Sequence, residues 1–272
     1  MAERYDCRPI GVFDSGVGGL TAMKELIRLL PQEDFIYFGD TARVPYGSHS
    51  RETIISYARQ DLSFLLSRNV KAVLVACGTV SATALPTLRE MTEIPVVGVI
   101  NAAAEAAVRQ SRTKRVAVLA TSASVRSHAY ATALQRLDPE IRVTEKACPL
   151  FVPLIENGYA DYKNPVTQMV IRDYIDAIRP FQPDAVILGC THYPLLKDGI
   201  QAELPDAVIV ESGREAAKAL AGLIRENGLG TGSERMGTRH FAVSEVTDSF
   251  RDTCELFLGE KVQTGIEWVV LS

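Results

Sequence analysis

Continuous aliphatic runs alternate with stretches of helical spacing along this chain. Runs at residues 9–14, 34–38, 72–76 and 95–99 predict strands. Parallel strands buried on both faces read as unbroken Val/Ile/Leu segments, not as alternating ones. Residues 20–30 and 50–68 predict helices between them. The longer puts Ile54, Tyr57, Ala58, Leu62, Leu65 and Leu66 on one face, the stripe of a helix packed on a sheet. Another helix follows the third strand and runs to about residue 90.

The pattern then restarts. Strands are predicted at 115–120, 141–145, 185–189 and 207–210, and a helix at 124–136. Asn164 as N-cap with Pro165 at the first helical position predicts a helix to residue 178. Ser212 and Glu215 have capping-box spacing, opening a helix to about residue 226. Residues 228–237 read as a loop, followed by a strand at 240–243, a helix at 247–258 and a strand at 268–271. Strand–helix alternation of this kind predicts two similar parallel-sheet α/β domains facing each other across a central cleft. The first comprises 1–98 plus 211–272, the second 99–210.

The halves share a weak repeat. Ala72-Val-Leu-Val-Ala-Cys77 aligns with Ala185-Val-Ile-Leu-Gly-Cys190, and Ile10-Gly-Val-Phe-Asp-Ser15 with Val116-Ala-Val-Leu-Ala-Thr121. Duplication explains this, and so does the shared composition of buried strands. Ligands of open α/β sheets sit beyond the carboxyl ends of the strands. Asp14, Cys77, Thr121 and Cys190 all stand at such ends.

Composition narrows the classes. At 47% hydrophobic and 23% charged residues over 272 positions, the chain can bury a full core. A net charge of −4 without a dominant basic cluster argues against a nucleic-acid partner. No apolar run reaches membrane-spanning length. The polar first eight residues lead directly into a strand, so no signal peptide is expected and a cytoplasmic location is. Five scattered cysteines without a CxxC pair do not form a disulfide framework or a zinc site. Free thiols are expected, with Cys148 and Cys254 as packing residues and Cys7 on the surface. The oligomeric state stays open, a homodimer included.

Three stretches carry chemistry. FDSGVGGL over 13–20 suits an anion cradle and a tight turn with Asp14 as cap equally. It lacks the third glycine of the dinucleotide fingerprint and the Gly-Lys-Ser/Thr of a P-loop. GDTARVPYGSHS over 39–50 is a polar loop after the second strand. The third feature is the paired cysteines. Thr79 stands two residues after Cys77, and Thr191 and His192 directly follow Cys190. A lone buried cysteine is usually inert; two at matching strand ends, each near a titratable partner, point to proton transfer. A single Cys–His nucleophile is the rival, and it leaves one cysteine unexplained.

IGVFDSGVGGLT, DTARVPYG, VACGTVSA, VPLIENG and LGCTHYPLL occur in this order, and on them the chain resembles the glutamate racemases of the Asp/Glu racemase superfamily. That resemblance implies racemisation without pyridoxal phosphate, another cofactor or a metal. It implies Cys77 and Cys190 as the acid/base pair, Asp14 assisting Cys77, and His192 assisting Cys190 with Glu156 beside it. Asp14, Ser15, Pro45, Tyr46, Gly47, Gly78, Thr79, Thr121, Ser124, Thr191 and His192 would bind the substrate, glutamate. The product would serve peptidoglycan synthesis. Gly78 stands where the family usually has Asn, so its side-chain amide contact is missing. Two alternatives stay open: a relative acting on aspartate or another α-acid, and a glutamate binder without catalysis.

Overall fold

The computed structural model describes residues 5–246, 250–259 and 265–271. Among the described residues ten strands form two wholly parallel sheets. They are β1 (Ile10–Asp14), β2 (Phe35–Gly39), β3 (Ala72–Val75), β4 (Val96–Gly98), β5 (Arg115–Ala120), β6 (Arg142–Ala147), β7 (Ala185–Leu188), β8 (Val208–Glu211), β9 (Arg239–Val243) and β10 (Ile266–Trp268). One sheet runs β10-β9-β2-β1-β3-β4 and the other β6-β5-β7-β8. The second order reproduces the β2-β1-β3-β4 part of the first. The register matches as well: Ile10 pairs with Ala72 in one sheet and Val116 with Ala185 in the other. These are the positions aligned in the sequence repeat.

Helices cover the sheets: α1 (Leu20–Leu29), α2 (Arg51–Ser67), α3 (Gly78–Thr83), α4 (Leu85–Glu90), α5 (Val99–Gln110), α6 (Ser122–Ser127), α7 (Ala129–Leu137), α8 (Phe151–Glu156), α9 (Pro165–Ile178), α10 (Lys197–Glu203), α11 (Ser212–Glu226) and α12 (Phe250–Leu258). Ser50 caps α2 by accepting from Thr53 N–H, and Asn164 caps α9 by accepting from Val166 N–H. On α2, Ile54, Ala58, Leu62 and Leu65 are fully buried; Tyr57 and Leu66 pack at the margin of the same cluster.

Several elements differ from the sequence expectation. The helix expected at 124–136 is two helices, because His128 adopts a left-handed conformation (φ 51°) between α6 and α7. The helix after β3 is likewise divided, at Ala84. Helices α5, α8 and α10 were not anticipated. Ser212 and Glu215 form no capping box: Ser212 Oγ donates to Leu188 O, Glu215 pairs with Lys218, and Glu211 occupies the cap position. The last strand is Ile266–Trp268, earlier than the expected 268–271, because Glu267 there is bonded by His240 on β9 and by Arg68. The final helix is described from Phe250; Thr247 to Ser249 lie outside the described residues.

Candidate active site

The carboxyl ends of the two sheets meet around one cavity of about 370 Å³. Ser15, Pro45, Tyr46, Gly47, Cys77, Gly78, Thr79, Thr121, Glu156, Cys190, Thr191 and His192 all line it. Asp14 and Ser124, expected with them, do not. Both lie one layer behind, with 1% and 0% exposure. Ser124 Oγ accepts from Thr121 Oγ1, and Ser124 N–H donates back to that oxygen. Thr121 in turn lies 3.1 Å from Thr79 Oγ1 on the opposite wall.

Asp14 ends β1 and sits beneath the glycine turn at 16–19. Its Oδ2 accepts from Gly16 N–H at 3.0 Å, while Oδ1 is buried without a hydrogen-bond partner. Burial pushes this carboxyl's pKa up, against the pull of His192 and the N–H groups of Gly16 and Gly19. Asp14 thus closes the βα turn at Gly16, and Gly19 is the N-cap of α1, which has no side-chain cap bond. The turn also has a packing role: a Cβ on Gly18 would stand 2.4 Å from Thr191 Oγ1 and 2.5 Å from His192 Nδ1. Thr21 adds a bond to Thr191 O at 3.0 Å.

Cys77 follows β3 and is 6% exposed. Ser15 Oγ lies 3.4 Å from its sulfur. Burial, then the nearby Asp14 carboxyl, pushes this thiol up to about 12. Cys190 follows β7 and is 7% exposed. Its sulfur is 3.9 Å from His192 Nδ1, and His192 Nε2 is 2.9 Å from Glu156 Oε1. Burial alone would lower the His192 pKa; the Cys190 sulfur and the Glu156 carboxylate outweigh it and bring it up to about 10. At neutral pH His192 is thus an imidazolium, held edge-on to Phe257 at 5.0 Å. The two cysteines therefore have different partners: a hydroxyl and a hidden carboxyl for one, a cation for the other.

A buried network carries the Pro45–Gly47 wall. Tyr46 Oη contacts Asp40 Oδ2 and lies 3.0 Å from Asp61 Oδ2. Arg43 Nε reaches Asp40 at 2.6 Å, and Ser244 donates to Asp40 from β9's end. The phenol has one hydrogen for two carboxyls. Burial, with the neighbouring Asp40 carboxyl, raises Asp61 well above the ordinary carboxylate range, while Arg43, 3.4 Å from Asp61 Oδ1, opposes that shift.

Several lining residues escaped the sequence reading. Cys148, expected only in packing, faces the cavity with Pro149, and Val152 projects from α8 one turn before the expected Glu156. The spacing of Val152 and Glu156 is the signal that places both on one helix face. Among the described residues the cavity wall contains no Lys or Arg. Among the described residues no three His, Cys, Asp or Glu side chains gather to hold a metal, and no helix is long and apolar enough to cross a membrane.

Comparison with known proteins agrees with this arrangement. Residues 10–220 match the family model of Asp/Glu/Hydantoin racemase. Glutamate racemase of Geobacter metallireducens is 46% identical over 256 residues, 94% of each chain. That of Syntrophus aciditrophicus is 44% identical over 268 residues, 98% of each. The crystal structure of glutamate racemase from Francisella tularensis in complex with D-glutamate superposes with a TM-score of 0.91 at 39% identity, covering 98% of this chain and 99% of that one. The Thermus thermophilus enzyme in complex with β-chloro-D-alanine gives 0.86 at 42% identity, covering 98% of each. By sequence and by fold the chain belongs to the Asp/Glu/Hydantoin racemase family, and it is an isomerase.

Proposed function

We propose that this protein interconverts L- and D-glutamate by transferring protons between two cysteines on opposite sides of the α-carbon. The observation that supports this most is that both thiols open on one cavity from equivalent positions of two like sheets. Racemisation needs the α-proton taken from one face and a proton given to the other. A single fixed base would mostly return the proton to the face it left. Two thiols avoid this: one as thiolate removes the proton, the other as thiol supplies one, and the reverse reaction exchanges their roles.

Each sulfur has a neighbour suited to that exchange. When Cys190 is the base, the His192 imidazolium faces its negative charge. When Cys77 is the base, its partner Asp14 is held towards the uncharged acid form by burial, which avoids a second anion beside the thiolate. The substrate's carboxylates and ammonium would meet the hydroxyls of Ser15, Thr79, Thr121 and Thr191 and the backbone of Pro45–Gly47. Ser124 acts through Thr121. Neutral donors fixed before reaction suit a charge that develops only in the transition state. The sparse exposure of both cysteines keeps water from competing for the carbanion.

We further propose that residues 1–98 plus 211–272 and residues 99–210 are two domains that close over glutamate in the cytoplasm, and that the D-isomer feeds peptidoglycan. Small-angle scattering unchanged by saturating glutamate counts against closure. Restored growth of a D-glutamate-requiring bacterium tests the supply role.

The deciding experiment follows α-hydrogen exchange with D₂O for each glutamate enantiomer. Cys77→Ser and Cys190→Ser are expected to abolish racemisation, each retaining exchange with the opposite enantiomer. Racemisation surviving in either variant, or exchange of the same enantiomer by both, refutes the two-thiol assignment.

A further inference from the structure

Each cysteine adjoins a glycine that faces the other wall. Gly78 follows Cys77 as the first residue of α3, and Gly189 precedes Cys190 at the end of β7. A Cβ on Gly78 would stand 2.3 Å from Gly189 O and 3.4 Å from its carbonyl carbon. The two backbones are therefore in direct contact across the cavity floor, with no room for a side chain between them.

Neither partner can retreat freely. Tyr130, fully buried, donates to Gly189 O at 3.4 Å. A Cβ on Gly189 itself would meet Ala120 Cβ and Tyr130 Cε2 at 3.0 Å. On the other side, Cys77 O accepts from Ser81 N–H at 2.9 Å and anchors the first turn of α3. Thr79 and Thr121 bridge the walls one residue further on. The contact thus lies between rigid segments, one peptide bond from each reacting sulfur.

We infer that Gly78 is a positioning residue: its bare backbone, seated on the Gly189 carbonyl, sets the distance between the two thiols. This rests on the two-thiol reading. It assigns Gly78 a different role from a substrate contact that has lost its amide. The two roles predict opposite outcomes when a side chain is supplied. If Gly78 were only a missing contact, asparagine would improve binding. If it is the spacer, any Cβ drives the walls apart.

Relieving 2.3 Å to an ordinary contact needs about 1 Å of extra separation. A misplacement of about 1 Å in a reacting pair costs on the order of 10²-fold in rate. The test compares racemisation by the unaltered protein, Gly78→Ala and Gly78→Asn, with circular dichroism melts to establish folding. Both variants are expected to lose about 10²-fold in kcat, with KM changed far less. The loss in kcat/KM must be equal in both directions, since the equilibrium constant between enantiomers is unity. A folded Gly78→Ala within threefold of the unaltered kcat, or a Gly78→Asn with raised kcat/KM, overturns the inference. Should Gly78→Ala not fold, Gly189→Ala shifts the same contact from the other wall by a few tenths of an ångström. Its kcat should fall by roughly severalfold, and an unchanged kcat in folded Gly189→Ala also overturns the inference. Failure of the two-thiol reading is separate, because it appears in the unaltered protein and in the Cys77→Ser and Cys190→Ser variants.

Discussion

Replacing Cys190 by serine should move the protonation of His192 far more than replacing Glu156 by glutamine. The His192 pKa stands at about 10 against an ordinary 6.5. At 1.36 kcal/mol per tenfold, that favours the imidazolium by about 5 kcal/mol. Burial works against the cation, so the two partners together supply at least this much. The Glu156 side chain is 45% exposed, and ion pairs open to water contribute about 0.2–1 kcal/mol. The buried sulfur of Cys190, 3.9 Å away, is the foremost of the two raising partners, and Glu156 follows it.

The serine hydroxyl carries no charge at any accessible pH. With Cys190→Ser the burial penalty is opposed by Glu156 alone, and the His192 pKa should fall by about 3, to 7 or below. Glu156→Gln keeps an acceptor for Nε2–H and should lower it by less than about 1. The assay is an NMR titration of ¹⁵N-labelled imidazoles. The chain has four histidines, and loss of one signal in His192→Gln assigns the resonance. His192 still titrating above pH 9 in Cys190→Ser would refute the reasoning. So would a larger fall in Glu156→Gln than in Cys190→Ser.

Other consequences follow from the same structure. Tyr46→Phe leaves Asp40 and Asp61 without their shared phenol; urea denaturation should give a loss of about 1–3 kcal/mol, and KM for glutamate should rise as the Pro45–Gly47 wall loosens. Lys71 is fully buried and its Nζ lies 2.5 Å from Glu33 Oε2. Lys71→Met strands the carboxylate and should cost about 3–5 kcal/mol in urea denaturation, most of it recovered by adding Glu33→Leu. Asn164→Ala removes a helix cap remote from the cavity and should cost about 1 kcal/mol with kcat unchanged. Stability should also decline with alkalinity. His192 and Cys77 both bind protons more tightly folded than unfolded, so each contribution is full below the unfolded pKa and lost as pH rises through the folded one. The windows are 6.5 to about 10 for His192 and 9.0 to about 12 for Cys77. Melting temperature should therefore fall steadily above neutral pH, and Cys190→Ser should flatten the first window.

What the sequence made legible, and what it hid, has a physical pattern. Strands β1, β3, β5 and β7 are continuous aliphatic runs, and the residues of interest stand just past their ends, where the rule for parallel sheets directs attention. Helix α5 was hidden because Val99 and Ile100 extend the β4 run without a polar cap; Gly98 precedes the helix and offers no side chain. The break at His128 has no glycine to mark it, and its side chain instead contacts Glu145 across to β6. Helix α8 carries Glu156 but contains Pro153, which reads against a helix; at its third position the missing N–H has no intrahelical partner to lose. Ser212 has a cap's identity, but its hydroxyl goes to Leu188 O on the neighbouring strand, a partner that no local pattern reveals. The repeat, by contrast, was readable because it is carried by strand register. Ala72 and Ala185 occupy equivalent pairings, and a cysteine follows each by the same five-residue step. Once two like sheets are set with their carboxyl ends towards one cavity, equivalent positions arrive from opposite walls. On the two-thiol proposal, a proton donor and acceptor facing each other across one carbon are obtained from a single strand-end position used twice. Of the partners that distinguish them, Asp14 aligns with Ala120 inside the repeat, and His192 and Glu156 lie beyond its aligned segments, so that each half equips the same thiol differently.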